Sequence, residues 1–230
     1  MRKLIDRWWW IALAAMVGVE AASYAGYVAP GFEMAAFVAA VSAAAFASMI
    51  KLEFGAYLVA AELALGGHGY LLRLPLGGAT LSLRQALFII LIAAWVIQFG
   101  RDRSATIKRL RQTPRSIAIA YLALLVAVGL ATVIGALRND PGAVFLDANA
   151  WLFLLLAPVV VTALRTTEHF WRLTQVLAAG AVVMAFKTLW LLYAFAHATP
   201  GTEVIYRWIR DLRLGEIAHI SGPVYRIFLP

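Results

Sequence analysis

The sequence has no cysteine and little charge for its length. Without cysteine there can be no disulfide, thiolate zinc site, iron–sulfur cluster or cysteine nucleophile. Charged residues make up 14% of the 230 positions, where soluble domains usually carry about 25%, so water is not the solvent for most of the surface. Histidine is scarce as well. His68, His169, His197 and His219 are too scattered for a metal site, and no metal is expected. The formal net charge of +8 would suit a nucleic-acid partner. The basic residues instead cluster at the ends of apolar runs, the placement that orients a membrane protein, and no nucleic acid is expected.

What is present is apolar length. Hydrophobic residues are 63% of the chain and the mean hydropathy is +0.82. A span needs roughly 20 apolar residues to cross the hydrocarbon, and seven runs qualify, at about 8–29, 32–50, 53–70, 83–100, 116–138, 149–165 and 173–197. The second and third are separated only by Lys51-Leu52-Glu53. The expected fold is all-α: a polytopic membrane bundle of about seven transmembrane helices over 1–198, followed by an amphipathic tail over 199–230. The first run follows Arg2, Lys3 and Arg7 like a secretory signal, but it is too long and contains Glu20. It reads as an uncleaved first helix.

Orientation follows from charge. Arg101, Arg103, Lys108, Arg109, Arg111 and Arg115 crowd the loop between the fourth and fifth runs, which makes it cytoplasmic. Counting outward places the N-terminus in the cytoplasm and the tail on the opposite, periplasmic face. Small residues recur every fourth position at Ala14, Gly18, Ala22, Gly26 and at Ala36, Ala40, Ala44, Ser48. Each set forms one helix face that lets backbones approach closely, within the bundle or against another subunit. Trp8, Trp9 and Trp10 mark the cytoplasmic interface. In the tail, Val204, Trp208 and Leu212 share one helical face with Ile205 and Ile209 beside them, while Arg207, Arg210 and Asp211 lie opposite. Such a helix suits the outer membrane surface. The chain then stops on Pro230 as a new apolar stretch begins, an ending that looks truncated.

Charges inside spans are the first functional candidates, because desolvating them is costly unless they are paired or wet. Glu20, Glu62 and Lys187 are such residues. A Glu62–Lys187 pair is one arrangement, and a polar cavity holding Glu62, Lys187 and His68 is another. His68 follows a glycine-rich turn and is either a base or simply solvated. Arginines on the outer face, where positive charge is usually depleted, form the second group: Arg73, Arg84, Arg138, Arg207, Arg210, Arg213 and Arg226. Guanidinium groups bind phosphate bidentately. This group would hold a diphosphate or lie among lipid phosphates.

Two segments carry a family resemblance. The stretch from Glu62 through Leu63-Ala64-Leu65-Gly66-Gly67-His68-Gly69-Tyr70-Leu71, followed by Leu81-Ser82-Leu83-Arg84-Gln85, resembles the early part of O-antigen ligase and O-antigen polymerase-like proteins. There a glycine-rich turn leads to a Leu-Arg motif opening the next helix. The tail Gly222-Pro223-Val224-Tyr225-Arg226 is similar to their Gly-x-x-x-Arg stretch. The resemblance implies a bacterial inner-membrane glycosyltransferase that takes a glycan from undecaprenyl diphosphate without metal, nucleotide sugar or other cofactor. Its implied partners are the lipid bilayer, the lipid-linked glycan donor and other membrane subunits. It places Arg84 and Arg226 on the family motifs, with Arg210, Arg213 and Arg73 at the outer face by location, as the diphosphate-binding set. It names no catalytic residue. Family members usually have ten or more spans, so this chain matches their N-terminal part and would be inactive if truncated. The rival expectation is a non-catalytic membrane subunit. A third, a small transporter, would need Glu20, Glu62 and Lys187 to line a path.

Overall fold

The computed structural model describes residues 4–65, 70–77, 79–222 and 224–229. The chain is mostly helical: α1 (Arg7–Val28), α2 (Pro30–Ile50), α3 (Leu52–Ala64), α4 (Leu83–Arg101), α5 (Arg103–Leu110), α6 (Arg115–Arg138), α7 (Pro141–Leu152), α8 (Leu156–Ala163), α9 (Thr167–Ala196) and α10 (Thr202–Asp211). Two antiparallel hairpins, absent from the all-α expectation, join them: β1 (Arg73–Leu76) with β2 (Ala79–Ser82), and β3 (Glu216–Ser221) with β4 (Val224–Phe228). Among the described residues, α1, α2, α4, α6 and α9 are long and apolar enough to cross a membrane.

Local chemistry sets the boundaries. The Asp6 carboxylate accepts from the Trp8 and Trp9 amides and starts α1, and Pro30 occupies the first turn of α2. Lys51 is extended and breaks α2 from α3, where the sequence places the split. Ser82 and Gln85 form a reciprocal capping box at the start of α4. In the third apolar run the helix, α3, ends at Ala64 after 13 residues, and the expected extension over 66–69 lies outside the described residues.

In the sixth run the helix starts earlier than expected, at Pro141, and tightens into a 3-10 turn at Phe153–Leu155. Pro158 explains the turn. It has no amide to offer the Leu154 carbonyl, and the Tyr121 hydroxyl donates to that carbonyl instead at 2.9 Å.

Helices α1, α3 and α9 lie parallel. Arg172 stacks 4.6 Å from the Trp8 ring near one end of the α1–α9 contact, and Lys187 meets Glu20 nearer the other. Along α3, Tyr57 bonds the His169 carbonyl and Ala64 abuts Gly180 in the same order. Helices α2 and α4 run antiparallel to them, as the approaches of Gly26 to Glu33 and of Leu91 to Gly55 show.

Met16, Tyr57, Ala179, Leu191 and Trp208 belong to one core, which joins α1, α3, α9 and α10. Phe37, Val59, Leu91 and Val159 belong to the other, between α2, α3, α4 and α8. Helix α6 is the exception. By hydropathy it is the most apolar of the five long helices, packs mainly on α7, and has no buried residue.

Candidate functional site

The site lies at the end of the bundle that carries α10 and both hairpins. Helix α10 has one strongly apolar face, as its sequence predicts, but that face is spent on the bundle. Ile205, Trp208 and Ile209 are buried. The Trp208 indole N–H donates to Ser23 Oγ at 3.1 Å, its ring meets Tyr24 edge-on at 5.5 Å, and Lys187 Nζ lies 5.2 Å from it. The Tyr27 hydroxyl donates to Asp211 Oδ2 at 2.8 Å and the Arg210 Nε–H to Asp211 Oδ1 at 2.9 Å. These bonds, first from Tyr27 and then from Arg210, hold the Asp211 carboxyl below the usual aspartate range, and the field of Arg73 adds to the shift.

The chain leaves α10 through Arg213, whose φ of +52° is left-handed. The Leu214 amide reaches back to the Ile209 carbonyl at 2.9 Å, closing the helix in the manner usually given to glycine. A side chain is strained there, yet the position carries a guanidinium. It opens onto a groove of about 600 Å³ between α10 and the β3–β4 hairpin, lined among others by Tyr206, Arg210, Arg213, Glu216 and Phe228.

Arg226 pairs across the hairpin with Ala218, one of the groove residues, and Phe228 pairs with Glu216. Directly opposed residues of an antiparallel pair share a face, so Arg226 shares a hairpin face with Ala218 and is not itself in the groove lining. Tyr225 lies on the other face, against Phe195 of α9. Among the described residues neither Arg213 nor Arg226 has an ion-pair partner. The groove offers phosphate oxygens the Arg213 guanidinium, which no carboxylate among the described residues occupies, with Arg226 on the strand that pairs with the groove residue Ala218.

Arg210 and Arg213 thus line one groove, and Arg226 pairs with its lining residue Ala218 across the hairpin. Arg73 sits on β1, held by Glu33 Oε1 at 3.2 Å. Arg84 does not join them: its Nε donates to Glu62 Oε2 at 2.7 Å between α3 and α4, with the Glu62 side chain only 3% exposed. Arg207 pairs with Glu203 one turn earlier on α10, and Arg138 ends α6. His68 lies outside the described residues. His219 bonds the Gly222 carbonyl at 2.8 Å and contacts Tyr225, away from the groove. Among the described residues no three His, Asp or Glu side chains gather as metal ligands.

The expected Glu62–Lys187 pair is not formed. Lys187 Nζ donates to both carboxylate oxygens of Glu20, at 2.8 and 3.0 Å. Helix ends explain the exchange. Glu62 is two residues from the end of α3, level with Arg84 at the start of α4, while Glu20 and Lys187 lie eight and nine residues before the ends of α1 and α9. Extending the third helix to residue 70 put Glu62 at the wrong depth. Ser23, Tyr27 and Glu33, which hold the tail helix and Arg73, went unnoticed in the sequence because each is an ordinary polar residue near a helix end. The β3–β4 hairpin was legible in the turn Ser221-Gly222-Pro223 between two β-rich runs. No protein-family model, no curated protein and no solved structure matches the chain.

Proposed function

We propose that the chain is a multi-pass membrane protein that holds the diphosphate of an undecaprenyl-linked glycan at its outer face, as the O-antigen ligase and polymerase-like proteins resembled by its motifs do. The observation that carries this reading is a groove lined by Arg210 and Arg213, with Arg226 paired to its lining residue Ala218 across the hairpin, and with Arg213 and Arg226 lacking a carboxylate partner among the described residues. The spans are α1, α2, α3, α4, α6, the α7–α8 pair and α9. Their parallel and antiparallel order supports the N-terminus and the basic α5 on the cytoplasmic side and α10 with its hairpin on the periplasmic side of a bacterial inner membrane.

In glycan transfer, an acceptor hydroxyl attacks the anomeric carbon, the carbon–oxygen bond to the diphosphate breaks, and undecaprenyl diphosphate leaves with the electron pair. Guanidiniums at the groove would stabilise the charge developing on that leaving group. The acceptor's proton passes to a base that is not assigned among the described residues. The reading therefore covers donor binding by this chain, and transfer by it only when such a base is supplied.

A second reading, a non-catalytic subunit of a larger membrane complex, is favoured by α6. It has 24 residues with none buried, an apolar surface open to lipid or to partner helices. Titration of the full chain in nanodiscs with undecaprenyl diphosphate and with undecaprenol separates the two. The donor reading expects diphosphate binding that weakens roughly 10- to 100-fold in Arg213→Ala/Arg226→Ala, as loss of charge-assisted bonds dictates. Diphosphate binding that the double substitution leaves unchanged would overturn it.

A further inference from the structure

The small-residue face of α2 has a use other than close packing. Ala40, Ala44 and Ala47 face Ala15 of α1 and Leu58 and Ala61 of α3 across a cavity of about 330 Å³, within the volume range of small-molecule pockets. A second cavity of about 200 Å³ shares Ala15, Ala47, Leu58 and Ala61 with it, so the two form one slot between α1 and the α2–α3 pair. The slot begins at Glu62, Leu65 and Leu83 and ends at Trp8, Phe54 and Arg172. From Phe54 to Leu65, α3 rises about 16 Å, half the roughly 30 Å thickness of a bilayer's hydrocarbon. Its dimensions are those of one lipid chain in one leaflet.

The wider cavity has a single polar lining residue among those described, Glu62. That side chain is 3% exposed; Oε2 is bonded by Arg84, but Oε1 is buried and has no hydrogen-bond partner among the described residues. An unsatisfied buried acceptor costs about 1–3 kcal/mol. Water is a poor remedy here, because a buried water needs two to four polar partners and the alanine and leucine walls supply none. An anionic head group would be repelled by the carboxylate, and a cationic one would compete with Arg84. A neutral O–H on a hydrocarbon chain meets every requirement.

We propose that this slot binds a long-chain alcohol, its chain lying along the alanine face of α2 and its hydroxyl donating to Glu62 Oε1. The site is separate from the arginine groove and does not depend on the donor reading.

The test uses the full chain in nanodiscs with a photoreactive diazirine hexadecanol, and the methyl ether of the same molecule, which has no O–H to donate. Adducts are mapped by peptide mass spectrometry. The alcohol is expected to label α2 and α3 at the slot roughly tenfold more than the ether, the value of one hydrogen bond to a charged acceptor. Ala44→Leu, which fills the slot, should reduce that labelling to background. Ala120→Leu, on the exposed surface of α6, and Arg213→Ala/Arg226→Ala should leave it unchanged. Equal labelling by alcohol and ether in the unaltered protein overturns the proposal whether or not Ala44→Leu folds. So does label spread evenly over all the apolar helices, or full slot labelling in an Ala44→Leu protein with an unchanged unfolding midpoint.

Discussion

Among the described residues, two buried ion pairs of similar composition lie in different surroundings. At Glu20–Lys187 both carboxylate oxygens are bonded by one ammonium, and the Trp208 ring covers the cation. At Glu62–Arg84 one oxygen is bonded, the other has no partner among the described residues, and the side chain lines an apolar slot. A satisfied buried pair fixes structure, here by tying α1, α9 and the tail helix together. A half-satisfied pair keeps hydrogen-bonding capacity for something else. Breaking each pair separately tests this division.

Lys187→Met carries the largest expected cost. It leaves Glu20, whose side chain is 12% exposed, without its cation. Removing one partner of a buried pair costs about 3–5 kcal/mol, whereas replacing both by apolar residues of similar volume is close to neutral. The unfolding midpoint in detergent should drop sharply in Lys187→Met and largely recover in Glu20→Leu/Lys187→Met. Glu62→Gln keeps the shape of the side chain and leaves the 19%-exposed Arg84 nearer polar surroundings, so its cost is smaller, about 1–2 kcal/mol. If Glu62→Gln proved the more damaging of the two, the assignment of structural and open roles would be reversed.

The region between the pairs gives the next effect. Gly180 of α9 abuts Ala64 of α3, and a Cβ added at Gly180 would lie 2.5 Å from the Ala64 Cβ. Gly180→Ala must therefore push α3 and α9 apart, at about 1–3 kcal/mol for an overpacked contact. Ala64→Gly in the same chain removes the clash and should restore most of the loss. The same insertion at Gly18, with nothing within 4 Å, should be silent in the same unfolding assay.

The long helices were legible because an apolar run of about 20 residues has few other uses, and α1, α2, α4 and α6 begin and end near their expected positions. Shorter elements were less so. Helix α3 stops before the glycines, which moves Glu62 toward its end and away from Lys187, so that one of the two arrangements open to Glu62 in the sequence is not formed. The every-fourth-residue alanine pattern of α2 was visible as a face, but not whether that face would close on a neighbour or stand off from it. That distinction depends on how far α1 stands from α3, which no local pattern encodes. The arginines at the groove were found by side of the membrane, and the grouping of Arg226 with Arg210 and Arg213 rests on the register of a hairpin. Arg84 was placed with them by the same reasoning, and a buried carboxylate holds it instead.

The smallest effect comes from an exposed pair, where solvent screens what burial amplifies at Glu20 and Glu62. Asp211 accepts from Tyr27 and Arg210, and these bonds, with Tyr27 first, depress its carboxyl pKa in the folded protein. A depressed folded value means that the stabilisation is fully present above the unfolded aspartate pKa of about 3.9 and disappears as pH falls through the lower, folded value. Asp211→Asn should therefore lower the unfolding midpoint by an amount that stays constant between pH 7 and pH 5. The difference between the two proteins should narrow only as the medium is made more acidic than an ordinary aspartate tolerates, and should close once Asp211 itself is protonated. A gap that closed near neutral pH would mean that another group holds the tail helix, and would leave the Trp208–Ser23 bond as its principal polar attachment.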